Sequence, residues 1–400
     1  MGAKRVVCLA AVRTPFGRFG GALKDVPAPR LAAALIQHVL KALPLPPREV
    51  DEVILGQVVS AGVGMNPARQ AGVFAGLPYE VPAYTINRVC GSGLQAIWLA
   101  TQAIQLGEAR LVLAGGVENM SAAPYALPQA RWGARMNHGQ ILDLLIHDGL
   151  WDAFYGYHMG VTAENVATKY AISRKDQDQY AFWSHQKAVA AHHQGLFQDR
   201  LVPVEVPGPK SGTTWITQDE VPRPDTSLEK LSQLPPAFLP NGTVTAGNAS
   251  AISDGAALVV VADQAKAKEL GLRPLAEFVD FAVVGLDPAV MGLGPVGAIR
   301  TLLAKQGLSM SQVDLWEINE AFAAQVLAVC GELDLPQDKL NIRGGAIALG
   351  HPIGASGARV VVDLIHNLSQ QEKELGVAGL CMGGGMGLAA MIARQSGGGP

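Results

Sequence analysis

Four short stretches of the chain combine nucleophilic, basic and glycine-rich residues. In VCGSG, Cys90 stands directly before Gly91, Ser92 and Gly93, and an apolar helix pattern (Leu94, Ile97, Trp98, Ile104) begins at once behind it. That spacing places Cys90 at or near a helix N-terminus, where free N–H groups and the helix dipole favour a thiolate. The glycines permit a sharp backbone and close approach of a substrate. In NIRGGAIALGHPIGASGAR, residues 341–359, His351 sits in a glycine-rich loop ahead of another helix start. A neutral imidazole there could take a proton from a thiol. In GLCMGGGMG, residues 379–387, Cys381 ends an apolar strand and enters a glycine run whose N–H groups could form an oxyanion hole. In WEINEAFAAQ, residues 316–325, Asn319 and Glu320 separate a strand from a helix, where Asn319 could orient a water or polarise a carbonyl.

Taken singly, each has a plain structural alternative. Cys90 could be a small buried hydrophobe. His351 could be a satisfied structural group. Cys381 could be incidental to a tight turn, and Asn319 could cap the following helix. Two further matches are weak. GLGPVG, residues 292–297, fits a dinucleotide-binding spacing, but it follows a loop and contains Pro295. GLCMG, residues 379–383, resembles a nucleophile elbow, but LAAMIA behind it reads as a strand rather than a helix.

Composition narrows the field. The chain has 400 residues, 49% of them hydrophobic and 16% charged, which is ample for a large core and suggests roughly two or three domains. The net charge is −3, and no basic stripe interleaves with aromatics, so a nucleic-acid partner is not expected. A few local groups could still hold an anionic small ligand. VVCLAAV is short, Arg13 interrupts it and no cleavage site follows, so residues 5–11 read as a buried first strand rather than a signal peptide. Gly2 lacks the Ser or Thr of a myristoylation site, position 6 being Val. No apolar run is long enough to span a bilayer. The four cysteines show no CxxC spacing, which fits a reducing, cytoplasmic compartment. There is no HExxH, and His192–His193 stands without a cysteine or acidic cluster, so no metal site is expected.

The elements that must position these residues occur twice. The first half offers RVVCLAAV, the helix LAAALIQHVLKAL and REVDEVILGQV; the second offers LAEFVDFAVVG, VGAIRTLLAKQ and SQVDLWEINEA. CGSGLQAIWLATQAIQLGEARLVLAGG and GASGARVVVDLIHNLSQQEKELGVAGLCMGGG continue the correspondence: glycine turn, helix, strand, glycines. Alternating strands and helices predict an α/β fold of parallel or mixed sheets covered by helices, in two similar packed layers. Between the halves, residues 120–245 are richer in histidine, Gln, Asp and proline, and read as an inserted, looser subdomain. It contains a helix from Ser173 to about His193 with Ser173 and Asp176 as a capping box. The tail SGGGP reads as frayed.

Together, VCGSG around Cys90, NEAFA at 319–323, GGAIALGHPIGASG around His351 and CMGGGMG from Cys381 closely resemble the thiolase family, in its order and over nearly the whole chain. ENMS at 118–121 and TVTAGNAS at 243–250 are similar to thiolase sequence as well. The resemblance implies duplicated αβαβα layers with an inserted loop subdomain: 1–119 plus 246–272 as the N-terminal half, 120–245 as the insertion, 273–394 as the C-terminal half and 395–400 as a flexible tail. It implies that Cys90 takes an acyl group from a thioester, and that His351 activates it and helps bind the thioester oxygen. Cys381 would exchange the α-proton of a second acetyl-CoA. Asn319 would hold a water in one oxyanion hole, and the N–H groups of Cys90 and Gly383 would form the other. Such chemistry needs an acyl carrier, a carbon-acid base and two oxyanion sites, with no permanently bound cofactor.

By the same resemblance the insertion grips coenzyme A. His158 and Met159 would lie beside the acyl and pantetheine groups, and Arg223 near the nucleotide. Phe238, Ala246 and Ser250 would line the pantetheine channel, with Phe322 at its mouth and Met291 bounding the acyl pocket. Met159 and Phe238 could instead be plain core, and Arg223 a solvated charge. Ala251 and Ser253 depart from the family pattern, which expects Gly and commonly Asn there; both are expected near the cofactor channel. SAAPYALPQARWGARMNHG resembles the loop through which tetrameric members associate, so a homotetramer or homodimer is implied. The expected activity is acetyl-CoA C-acetyltransfer on a short acetoacetyl substrate. A degradative 3-ketoacyl-CoA thiolase for longer chains is the alternative. A non-catalytic CoA or lipid binder would have lost a catalytic group, a ketoacyl synthase would want histidine at Asn319, and an NAD oxidoreductase rests on GLGPVG alone.

Overall fold

The protein is described by a computed structural model over residues 4–208 and 212–395. The N-terminal half contributes β1 (Val6–Arg13), β2 (Glu52–Gly56), β3 (Ala83–Ile86), β4 (Leu111–Asn119) and β5 (Ser253–Asp263). Their spatial order is β1-β5-β4-β2-β3; the first two pairings are antiparallel and the last two parallel. The C-terminal half contributes β6 (Ala276–Gly285), β7 (Leu315–Ile318), β8 (Leu375–Met382) and β9 (Met386–Arg394). Their order β6-β9-β8-β7 repeats the first, antiparallel, antiparallel, then parallel. A parallel bridge from Trp316 to Leu340 stands where the first half has β3. The duplication read from the sequence therefore holds strand by strand. β1 also pairs with β6 at Val7 and Cys8, which joins the two halves into one mixed sheet.

The strands that read as continuous apolar runs are buried throughout: every residue of β1, β4 and β5 is inaccessible. β1 runs two residues beyond the expected segment and includes Arg13. Its guanidinium stays inside because Asp219 pairs with it through two contacts of 2.6 and 2.9 Å. A buried cation with that partner removed would cost about 3–5 kcal/mol, so Arg13 ends no strand only because the insertion supplies a carboxylate.

Eight helices matter to the site: α1 (Ala28–Ala42), α2 (Pro67–Phe74), α3 (Ser92–Leu106), α4 (Met159–Lys169), α5 (Arg174–His193), α6 (Gly294–Gln306), α7 (Ala323–Leu333) and α8 (Ile353–Gln370). α1 and α2 cover the outer face of the first half, and α6 packs on the outside of the second with α7 beside it. α3 and α8 pack on each other between the sheets; α8 touches β4 and β5 on one side and β7 and β8 on the other. Trp98 of α3 stacks on Phe281 of β6 with ring centroids 5.7 Å apart. These are the five layers of the expected αβαβα arrangement. The two central helices cross backbone to backbone at glycines. A Cβ on Gly93 would lie 2.6 Å from the Ala358 nitrogen, and one on Gly357 would lie 2.4 Å from the Leu94 nitrogen. That close crossing is what brings the Cys90 turn next to the His351 loop.

The chain leaves the sheet after Asn119 and re-enters it at Ser253. Between these points lie α4, α5, short hairpins and extended stretches. α5 opens with the expected capping box, Ser173 and Asp176 bonding reciprocally. GLGPVG forms the end of a 3₁₀ turn and the start of α6, with Pro295 in the first helical turn, so no strand feeds a nucleotide-binding glycine loop there. The tail SGGGP lies outside the described residues. No helix among the described residues is long and apolar enough to cross a membrane.

Candidate active site

Cys90 sits in a tightly wound turn rather than inside the helix. α3 begins at Ser92, so Cys90 is two residues short of it. Val89 has φ +48°, a left-handed conformation that a β-branched residue adopts only under constraint. The constraint is local. Asn87 Oδ1 accepts from the Val89 N–H (2.9 Å), Ser92 Oγ accepts from the Arg88 N–H (2.8 Å) and donates to the Val89 carbonyl (2.7 Å). Cys90 is 9% exposed. Burial pushes its thiol up to about 11, while the N–H groups of Gly383 and of Cys90 itself favour the anion and offset part of that rise.

The thiolate expected from the helix start is thus not the resting form. Desolvation outweighs the helix end, and at neutral pH Cys90 holds its proton until a base takes it. Alkylation of free Cys90 by iodoacetamide is therefore expected to keep rising with pH beyond 9. A plateau near pH 7 in a rate profile of the Cys381→Ala protein would contradict this.

The surroundings of His351 fix both its charge and its tautomer. Its own N–H donates to the Ala251 carbonyl at 2.9 Å, which anchors the loop to the start of β5. Nδ1 lies 2.6 Å from Ser356 Oγ, and that hydroxyl donates its proton to the Pro352 carbonyl at 3.0 Å. Ser356 can then only accept from the ring, so Nδ1 carries the proton and Nε2 is the acceptor nitrogen. Burial first, and the Arg359 guanidinium second, lower the imidazole to about 3. His351 is therefore neutral across the physiological range. Ala251 and Ser253, expected by the cofactor channel, support this loop instead: Ser253 Oγ donates to the same Ala251 carbonyl at 2.9 Å.

Asn319 does not cap a helix. α7 begins four residues later, at Ala323, with Phe322 preceding it. The buried amide of Asn319 places Nδ2 3.5 Å from His351 Nε2, and its Oδ1 accepts from Arg359 Nη2 at 2.9 Å. Its neighbour Glu320 accepts from Tyr180 (2.9 Å), Ser184 (2.7 Å), Asn341 (3.0 Å) and the Ile347 N–H (3.1 Å). Glu320 is a clamp between α5 and the histidine loop.

Cys381 lies at the end of β8, paired with Gly387 across the hairpin, and is fully buried. The turn beyond it needs φ of +77° and +78° at Gly384 and Gly385, which the glycine run supplies. Burial, and then the neighbouring Cys90 sulfur, raise the Cys381 thiol well above its ordinary value. The two thiols are close enough that one anion opposes the other.

Glu118 was not singled out from the sequence. It is buried at the end of β4 and accepts from the Val58 (2.9 Å), Val59 (3.1 Å) and Gly354 (2.9 Å) N–H groups. Burial raises its carboxyl to about 7. It ties the loop after β2 to the start of α8, just behind His351. Ser356 and Arg359 were likewise missed, although both lie in the glycine-rich stretch around His351. Their positions one and two helical turns into α8 were the available signal.

Several of the residues expected around the acyl and pantetheine groups pack against Cys381. Met159, Met291, Phe322 and Cys381 share one apolar cluster with Ala163, Val244 and Ala321, and Phe238 packs on its edge. His158 stacks on Phe238 at 4.7 Å, and Phe238 meets Phe322 edge-on at 6.1 Å. Ser250 donates its N–H to the Ala321 carbonyl at 3.0 Å, which lays the 249–250 segment along Phe322. Ala246 is exposed in the turn just before it. Arg223 is not part of this cluster. It is exposed beside a separate recess with His185, His193 and Thr226, and its N–H donates to His185 Nδ1 at 3.2 Å.

Gly160 explains the tight HMG spacing. A Cβ there would lie 2.2 Å from the Phe238 ring. Gly160→Ala is expected to push Phe238 off His158 and raise KM for the acyl donor about tenfold, for a loss of about 1.4 kcal/mol in binding. A titration of initial rates against thioester concentration checks this; an unchanged KM would sink it.

A duplicated αβαβα core carrying two buried, electrostatically coupled thiols and a neutral imidazole beside a buried amide is the scaffold of an acyltransferase. The chain belongs to the thiolase family: "Thiolase, N-terminal domain" matches residues 6–265 and "Thiolase, C-terminal domain" matches residues 272–394. Among relatives, it is 54% identical to an acetyl-CoA acetyltransferase of Pseudomonas aeruginosa, over 98% of this chain and 99% of that one. It is 53% identical, with the same coverage, to a probable acetyl-CoA acyltransferase of Staphylococcus aureus. The crystal structure of the Bacillus anthracis acetyl-CoA acetyltransferase superposes with a TM-score of 0.96 at 48% identity, covering 98% of this chain and 99% of that one. Human mitochondrial 3-ketoacyl-CoA thiolase superposes with a TM-score of 0.95 at 44% identity, with the same coverage.

Proposed function

We propose that the protein is an acetyl-CoA C-acetyltransferase, condensing two acetyl-CoA to acetoacetyl-CoA and CoA, reversibly. The observation that carries this reading is a pair of buried, electrostatically coupled thiols, Cys90 and Cys381, together with a neutral His351 whose Nε2 faces the Asn319 amide.

The reaction follows from the site. The Cys90 sulfur attacks the thioester carbonyl as its proton passes to His351 Nε2. The oxyanion is received by the N–H groups of Cys90 and Gly383. Collapse breaks the C–S bond to CoA, and the proton on His351 goes to the leaving sulfur. Acylation leaves Cys90 without an ionisable proton, so only Cys381 can then supply an anion. The proton on Cys381 passes to the vacated His351 Nε2, and the Cys381 thiolate then takes the α-proton of a second acetyl-CoA. The enolate oxygen is held at the Asn319–His351 side, its carbon displaces the Cys90 sulfur from the acetyl group, and that thiolate recovers the proton from His351. These steps need CoA thioesters as substrates and no resident metal or redox group.

His158, Met159, Phe238, Ala246, Ser250, Met291 and Phe322 line the approach in this reading, and Arg223 reaches the nucleotide from its separate recess. Residues 120–245 act as the CoA-binding insertion between halves 1–119 plus 246–272 and 273–394. Buried Met159 and Met291 support a short acyl group. Exposed Tyr125, Leu127, Trp132, Met136 and Ile141 support association through that segment, as a homotetramer. Four unpaired cysteines support a cytoplasmic setting.

The test is thiolysis of acetoacetyl-CoA by CoA, read as loss of the 3-ketoacyl absorbance, beside 3-ketohexanoyl-CoA and 3-ketododecanoyl-CoA. Turnover confined to acetoacetyl-CoA is the expected result. Comparable turnover of the longer chains moves the protein to the degradative class, and none at all leaves a CoA binder.

A further inference from the structure

We propose that Arg359 is a positioning residue for carbon–carbon bond formation: its guanidinium locks the Asn319 amide with the N–H end facing the reacting oxygen. This rests on the reading of Asn319 given above.

An asparagine side chain presents two ends of nearly equal size and opposite chemistry. At an oxyanion only the Nδ2 end stabilises, and a flipped amide would aim a carbonyl oxygen at negative charge. Something must choose between the two. Arg359 can only donate, so the end it touches, at 2.9 Å, has to be Oδ1. Nδ2 then points to His351 Nε2, 3.5 Å away on the other side. Both side chains are fully buried, so water offers no competing partner to the amide oxygen.

The guanidinium is itself held. Asp363 Oδ2 lies 3.4 Å from Nη1 and Glu317 Oε2 3.9 Å from it. Asp363 also accepts from Arg200 Nη1 at 3.1 Å, and Asn367 donates to Glu317 at 2.8 Å. Three buried cations, Arg13, Arg200 and Arg359, thus meet two buried carboxylates, Asp219 and Asp363, and the carboxyl of Glu317, which burial and Asp363 push up to about 8. Burying so much charge brings little net stability, because desolvation consumes most of the attraction. A requirement for one fixed donor beneath Asn319 accounts for it. No hydrogen bond runs from Arg359 to the Cys90 turn or to Gly383, so the first oxyanion site does not depend on it.

The experiment compares two reactions of the intact enzyme. Exchange of isotopically labelled CoA into acetyl-CoA needs only the acetyl-Cys90 intermediate. Thiolysis of acetoacetyl-CoA needs the carbon–carbon step as well. Arg359→Lys keeps the charge but loses the fork, and Arg359→Gln keeps the volume with an amide that can donate or accept. Each is expected to lower thiolysis kcat by about 10²-fold, the scale of one oxyanion donor, with KM for CoA unchanged; Arg359→Lys, which keeps the charge beside His351, is also expected to leave exchange within about threefold. In an Asn319→Ala background, neither is expected to reduce thiolysis further. Equal losses in both reactions for Arg359→Lys, no loss in either, full additivity with Asn319→Ala, or failure of both variants to fold would each overturn the proposal. Absence of exchange in the unaltered enzyme would instead remove the Cys90 reading on which it rests.

Discussion

Cys90→Ala is expected to abolish acetyl exchange and thiolysis together, each by at least about 10⁴-fold, because no covalent carrier remains for either. The same protein should fold normally. The side chain is small, and the turn around it is held by Asn87 and Ser92 rather than by the sulfur. Rates of CoA exchange and of 3-ketoacyl loss measure the effect, with a thermal melt as control. Residual exchange within tenfold of the unaltered enzyme would mean that the acetyl group travels by another route. Cys90→Ser tests a subtler point. A serine hydroxyl in the same buried position is harder to ionise than the thiol, whose value already stands at about 11. His351 would have to do more, and activity close to that of Cys90→Ala is expected.

Cys381→Ser is expected to divide the two reactions. Exchange through acetyl-Cys90 should persist within a few fold, whereas condensation and thiolysis should fall by about 10³-fold, in the range of a lost general base. Serine preserves the volume at the end of β8 but not an anion that a carbon acid can use. Loss of exchange to the same degree would show that Cys381 holds the pocket together instead of moving a proton. The sign of the mutual effect is also testable. Because an ionised Cys90 sulfur raises the Cys381 thiol, acetylating Cys90 should speed alkylation of Cys381 only where Cys90 would otherwise ionise, near pH 11 and above.

His351 shows why charge state and burial must be read together. A histidine in water would be part-protonated near pH 6.5. Here the Ser356 hydroxyl fixes the tautomer, and burial with Arg359 nearby removes the charge. A protonated ring could not accept from Cys90.

Much of this was legible in the amino-acid order alone. The duplication could be read because each half must bury the same pattern of strands, and apolar strands flanked by helices leave few ways to do so. The four motifs could be read because acyl transfer and a carbon–carbon step demand nucleophile, base and glycine-lined N–H groups, and few residue types meet those demands. The ends of α5 were legible because capping is a local matter of three or four residues.

What required the tertiary structure is the environment of each group. The helix behind Cys90 suggested a thiolate, and burial reversed that, because desolvation depends on what chains distant in sequence pack over the sulfur. Asn319 looked like a helix cap until its partners proved to be His351 and Arg359, 32 and 40 residues away. Ala251 and Ser253 stood near the channel by sequence but brace the histidine loop in space. Arg13 seemed to end a strand, and Asp219, 206 positions later, keeps it inside. Local order specifies which chemistry is available. Proximity, burial and hydrogen-bond partners, which only the folded chain creates, decide the protonation state in which each residue waits.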